Sequence, residues 1–144
     1  MSAFIYDKAL QAFLSATSGF DMATATVKVA LVQITGSGTP YTVNQSTDQF
    51  FSIIPSGAVA AISPQLTTPV VANGIFGADN TTWTSVPSGA ACGALVVFVD
   101  TGTPSTSPLI AYMDSTIYSG LPITPNGGNI NVSFSPTGNL VFSL

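Results

Sequence analysis

Residues 24–34 read TATVKVALVQI, and the fold turns on how this segment is read. Its Thr, Val and Ile side chains are branched at Cβ, which stiffens χ1 and suits a pleated backbone. Val27, Val29 and Leu31 fall on one side, and Thr26, Lys28, Ala30 and Val32 on the other, with the period of two of a strand. The segment is predicted to be a central β-strand.

Outward from it the pattern changes character only once. Upstream, Phe4, Ile5, Ala9, Ala12 and Phe13 recur at helical spacing, with Ser2 placed as a cap and Gly19 beyond the end. This predicts one short amphipathic α-helix over residues 2–15. Downstream, residues 35–49 (TGSGTPYTVNQSTDQ) are rich in the residues that set turns and read as a surface loop. From Phe50 onward, strands are predicted near 57–63, 66–72, 74–79, 81–86, 93–100, 108–114, 129–134 and 139–143, with Gly, Pro or Asn between nearly all of them.

Short punctuated strands without intervening helices predict an all-β fold: a mainly antiparallel sandwich, jelly roll or small barrel over residues 24–144, with the one short N-terminal α-helix before it. A parallel α/β fold would need helices between the strands. No fixed-period repeat appears. A length of 144 residues fits a single β-rich domain, 1–144, large enough to bury a real core.

Charged residues make up 6% of the chain while hydrophobic residues stand at 46%. Ordinary soluble domains carry about 25% charge, so the deficit is in surface charge rather than in the core. Uncharged polarity replaces it: 18 Thr, 17 Ser, 7 Asn and 5 Gln. Disordered chains combine low hydrophobicity with high net charge, whereas this one is hydrophobic with a net charge of only -4, and it should fold.

The only cations are Lys8 and Lys28, and the six acids are all Asp. Nucleic acid is therefore not expected as a partner, because phosphate neutralisation needs several Lys or Arg on one face. Anionic membrane surfaces are disfavoured for the same reason. The longest apolar run, Ala90–Val99, is too short to span a bilayer and stops at Asp100. Asp7, Lys8 and Gln11 interrupt the N-terminal apolar pattern, so no secretory signal is expected. Cys92 is the one cysteine and, among Ala91, Gly93, Ala94 and Leu95, reads as a small buried hydrophobe.

Chemistry-bearing motifs are scarce. Asp100-Thr101-Gly102 follows an apolar strand as an aspartic protease motif does, but that chemistry needs two carboxylates sharing a proton, hence a dimer. Asp-x-Gly is also ordinary turn chemistry, and the turn is the expected reading. No His stands ready as base for a Ser or Cys nucleophile. The Asp residues never cluster as in a calcium loop, and nothing in the sequence supports an adventitious calcium between loops, for instance at Asp79-Asn80. Asn126-Gly127-Gly128-Asn129 lacks the Lys and helix of a phosphate loop and reads as a hairpin turn. No catalytic residue, cofactor site or metal site is expected. Most aromatics read as core, Trp83 being the best glycan-platform candidate and Phe50-Phe51 a possible subunit contact.

Several segments form a recognisable set: Ile5–Leu10 (IYDKAL), Val27–Val32 (VKVALV), Ser107–Asp114 (SPLIAYMD), Gly120–Ile130 (GLPITPNGGNI) and the closing Leu140–Phe142. Together they resemble small proteins encoded among the structural genes of tailed bacteriophages. The likeness spans most of the chain. It implies a virion protein assembled in the host cytoplasm without fixing its place in the particle. A rigid β scaffold with apolar and hydroxyl-rich surfaces and no chemistry makes a capsid decoration or cement protein, a homo-oligomer that binds the major capsid protein, the foremost expectation. A neck or tail component is the neighbouring alternative, and a glycan-binding adhesion module a further one. Proteins of this kind tend to carry more charge between the first strand and the middle of the chain, which makes the Ser/Thr-rich surface here a departure.

Overall fold

The computed structural model describes residues 3–115, 120–134 and 140–143. In chain order the elements are β1 (Phe4–Ile5), α1 (Asp7–Leu14), β2 (Val27–Val32), β3 (Val59–Ile62), β4 (Val70–Ala72), β5 (Ile75–Gly77), β6 (Thr81–Trp83), β7 (Ala94–Val99), β8 (Leu109–Asp114), β9 (Ile130–Val132) and β10 (Leu140–Ser143). The fold is all-β, and every strand pairing is antiparallel.

Three sheets form: β1-β8-β7-β2-β3, β10-β5-β4 and β6-β9. None closes into a barrel. Residues 24–34 supply the central strand expected of them, since β2 pairs along its whole length with β7 and over Ala30–Val32 with β3. β7 and β8 are buried at every position, as is β2 apart from the half-buried Lys28. That is why ALVVFV is a continuous apolar run: a strand covered on both faces has no solvent side on which to alternate. Each such Val, Leu or Phe contributes roughly 1.5–3 kcal/mol by leaving water.

The helix begins later than its periodicity suggests. Residues 2–15 were expected to be helical, but Phe4–Ile5 is extended and pairs with β8 as Phe4↔Tyr112 and Ile5↔Ala111, leaving α1 to start at Asp7. Phe4 stacks on Tyr112 with ring centroids 5.0 Å apart, and the Tyr6 amide donates to the Ile110 carbonyl. The unpaired edge of β8 captures the segment, and this tertiary pairing outweighs local helix spacing. Tyr6 occupies the N-cap position without a side-chain cap, and the expected cap, Ser2, lies outside the described residues.

Other strands are shorter than expected where the backbone turns. The 57–63 segment opens with a 3₁₀ turn at Ser56–Ala58, Thr68 at φ 54° precedes β4, and Ser85 at φ 47° ends the pairing of β6. Asn126–Asn129 does make a tight turn, with Gly127 at φ +91° and the Asn126 side chain accepting from the Gly128 amide. It is not a hairpin between its own flanks. The residues before it bridge to Cys92 through Ile123 and those after it pair with β6, because Val86 exchanges backbone bonds with Gly127 and Gly128 and holds the turn from outside.

Trp83 fastens the small sheet to the large one. It is 2% exposed, and its indole N–H donates to the Val29 carbonyl at 3.2 Å. Trp83→Phe, which removes that bond but keeps most of the ring, should cost about 1 kcal/mol, and Trp83→Ala about 3–5 kcal/mol. Urea denaturation followed by circular dichroism measures both, since each variant lacks the only tryptophan.

Candidate functional site

Most groups capable of chemistry are spent on internal fastening. The β2–β7 register brings Lys28 and Asp100 together, and Nζ meets Oδ2 at 2.6 Å with each side chain 26% exposed. The other carboxylate oxygen accepts from the Gly102 amide at 2.8 Å, where φ is +89°. Asp-Thr-Gly is thus a turn whose side chain closes the chain's reversal. The Lys28 ammonium, and then the Gly102 amide, hold the Asp100 carboxyl below its ordinary value. A shared-proton dyad needs a second carboxyl against the first, and here the Lys28 ammonium takes that place.

The loop expected at 35–49 has no regular structure, but it is anchored rather than loose. Gln33 donates its side-chain amide to the Thr35 and Ser37 carbonyls, and the Tyr41 amide returns to the Gln33 carbonyl. Tyr41 and Asp48 are buried, with the Tyr41 hydroxyl donating to Asp48 Oδ2 at 2.6 Å and lying 3.0 Å from the Tyr6 hydroxyl. The Asn44 amide also donates to Asp48, so a buried carboxylate is held by two donors. Burial pushes the phenols of Tyr6 and Tyr41 far up, and that of Tyr112, aided by the Asp114 charge, up to about 12.

Other candidates resolve in the same way. Burial of Trp83 removes it as a glycan platform, because a stacking platform must face solvent. Phe51 is no subunit contact either. It stacks on Phe98 at 4.2 Å within the core, while its neighbour Phe50 is half-buried beside Pro108. Cys92 is buried, and burial raises its thiol pKa, which lowers its thiolate fraction. Asp79 accepts from the Thr68 hydroxyl at 2.7 Å, and the Asn80 side chain accepts from the Phe134 amide at 2.9 Å. Among the described residues no three His, Cys, Asp or Glu side chains gather as a metal site would require.

Two surfaces remain. A groove of about 480 Å³ runs between α1, the turn that follows it and the β7–β8 connection, lined by Lys8, Phe20, Gln49, Phe50, Thr101 and Thr106 among others. The second surface is a β-hairpin. β4 and β5 are joined by Asn73 and Gly74 at φ 53° and 75°, both positive as a type I′ turn requires. All three residues of β4 are exposed, Val70 by 50% and Val71 by 56%, and Ile75 at the start of β5 by 40%. Adjacent residues of a strand face opposite sides, so exposure of both Val70 and Val71 means that β4 overhangs the body. Among the described residues β4 has β5 as its one neighbour, which leaves its other edge open.

The strands at 66–72 and 74–79 were expected, but their exposure was not. The legible signal was Asn73-Gly74 within an uncharged stretch running from residue 49 to 78. No protein-family model matches the chain, and no curated protein matches its sequence.

Two pH effects follow from the shifted groups. A depressed Asp100 pKa adds stability that is full above its ordinary value of 3.8 and is lost as pH falls through the lower native value. Asp100→Asn should therefore cost about 1 kcal/mol at neutral pH, with the difference from the parent closing in acid below that value. Urea midpoints from pH 7 downward measure it. At the other extreme, the raised phenols of Tyr6, Tyr41 and Tyr112 stabilise the fold fully below their ordinary value of 10.0. Above it the unfolded chain loses those protons first. Each phenol should then remove about 1.4 kcal/mol per pH unit, and Tyr41→Phe should flatten that alkaline decline.

Proposed function

We propose that this chain is a structural subunit of a bacteriophage particle, a capsid decoration or cement protein that binds the major capsid protein and stabilises the shell without catalysing a reaction. The observation that carries this reading is the exposed, uncharged hairpin of β4 and β5, with Val70, Val71 and Ile75 in water on an antiparallel scaffold. Exposed apolar groups gathered on one projecting element mark a contact surface. The likeness of Ile5–Leu10, Ser107–Asp114 and Gly120–Ile130 to phage structural proteins points to the particle as the place where that contact is made.

The rest of the molecule supports the same reading. Asp100, Asp48 and Trp83 serve the fold, and no arrangement of acid, base and nucleophile occurs among the described residues. Lys28 is paired, so Lys8 is the one cation among the described residues outside an ion pair, too little to release counterions from nucleic acid. A shell offers the same small contact many times. Repetition sums individually weak apolar contacts into firm attachment, and an uncharged interface makes that attachment tolerant of salt.

Deletion of the gene should yield particles that lack this chain and lose shell integrity at a lower temperature, with the purified protein restoring both. Quantitative densitometry of intact particles should find hundreds of copies. A dozen or fewer would move the chain to the neck or tail, and particles unchanged in composition and heat resistance would remove it from the virion altogether.

A further inference from the structure

The open edge of β4 has a geometry that selects its occupant. The two-residue Asn73-Gly74 connection makes Ala72 and Ile75 the closing hydrogen-bonded pair of the hairpin, Val70↔Gly77 the next, and Val71↔Phe76 the non-bonded pair between them. The N–H and C=O of Val71 therefore point away from β5. The Pro69 carbonyl and the Asn73 amide lie on the same open side, two residues away in either direction. The edge is uncharged and carries no lysine, and its pairing with β5 is free of register shifts over Val70–Ala72, so only its shortness and Pro69 blunt it.

We propose that this edge pairs with the same edge of a second copy of the chain, antiparallel about a two-fold axis at Val71. Taking the hairpin as the assembly surface, as in the reading above, this names what covers it. Each Val71 donates to and accepts from the other, and each Asn73 amide donates to the second copy's Pro69 carbonyl. Proline has no N–H, which removes one bond on each side of the axis and leaves the rest of the ladder intact. The two three-stranded sheets then become one continuous sheet of six strands.

Self-pairing is favoured by charge. In an isologous contact every residue near the axis meets its own copy, so any charge there repels itself. No Asp, Glu, Lys or Arg occurs between Asp48 and Asp79, and the facing residues are instead Val71 with Val71 and Val70 with Ala72. The edge is only three residues long, far short of the roughly 1,000 Å² of a lasting interface, so the pair is weak and depends on concentration or on a shell that holds the copies side by side.

Cross-linking tests the register directly. With buried Cys92 replaced in both chains by Cys92→Ala, one chain carries Val70→Cys and the other Ala72→Cys. These positions face each other as a non-bonded pair with Cα atoms about 4.5 Å apart, within reach of a disulfide. Mild oxidation of the mixture should give several-fold more disulfide dimer than either chain alone. In parallel, Val71→Lys sets two ammonium groups across the axis and should abolish concentration-dependent sedimentation of the otherwise unaltered protein. Equal dimer in the mixture and in the separate chains, or sedimentation that Val71→Lys leaves unchanged, would overturn the pairing. Should cross-linking fail while the protein still restores gene-deleted particles, self-pairing falls and the decoration reading stands. Cross-linking by a chain absent from particles would support the pairing and remove the decoration reading.

Discussion

The pairing of β2 with β7, six residue pairs from Val27↔Val99 to Val32↔Ala94, is the interaction on which the rest of the structure depends. Both strands are buried nearly throughout, so their backbone amides and carbonyls find partners in each other or in neighbouring strands. The same register sets the neighbours. β8 lies on the far side of β7 and draws in the N-terminal segment, while the Val29 carbonyl, past the end of the β3 pairing, accepts from both the Ser63 amide and the Trp83 indole. Next to the end of that ladder the Lys28–Asp100 pair ties the residue that follows β7 to the start of β2.

A chain with so little charge spends its polar groups inward. Asp48 is held by Tyr41 and Asn44, Asp100 by Lys28 and Gly102, and among the described residues no buried side-chain nitrogen or oxygen lacks a hydrogen-bond partner. Each such bond offsets the desolvation cost of the group it holds. The exposed surface is correspondingly one of hydroxyls, amides and apolar side chains. Contacts made by such a surface vary little with salt.

The sheet edges receive different treatment, which argues that the hairpin's exposure is a feature and not an oversight of the fold. At β1 the chain covers its own border: Gln45 reaches the Ile5 carbonyl with its side chain and receives the Asp7 amide on its backbone. β4 has no such cover among the described residues, and its side chains are apolar on both faces. An edge left bare in this way is stable only if the protein is dilute or the edge is filled.

Much of this was legible in the residues themselves. The β-branched alternation of 24–34, the apolar run ending at Val99 and the Gly, Pro and Asn punctuation determined an antiparallel all-β chain, because those signals act through local backbone preference and through the burial that each strand demands. Asp100-Thr101-Gly102 was readable as a turn for the same local reason. What needed the tertiary structure was every outcome decided by a distant partner. Phe4 and Ile5 have helical spacing but meet β8, Trp83 and Phe51 are aromatics whose burial depends on Val29 and Phe98, and Asn126-Gly127 is a turn held by Val86 rather than a hairpin of its own flanks. The exposure of Val70 and Val71 belongs to the same class, since an apolar strand reads alike whether a neighbour covers it or not, and only the packing of the chain decides which.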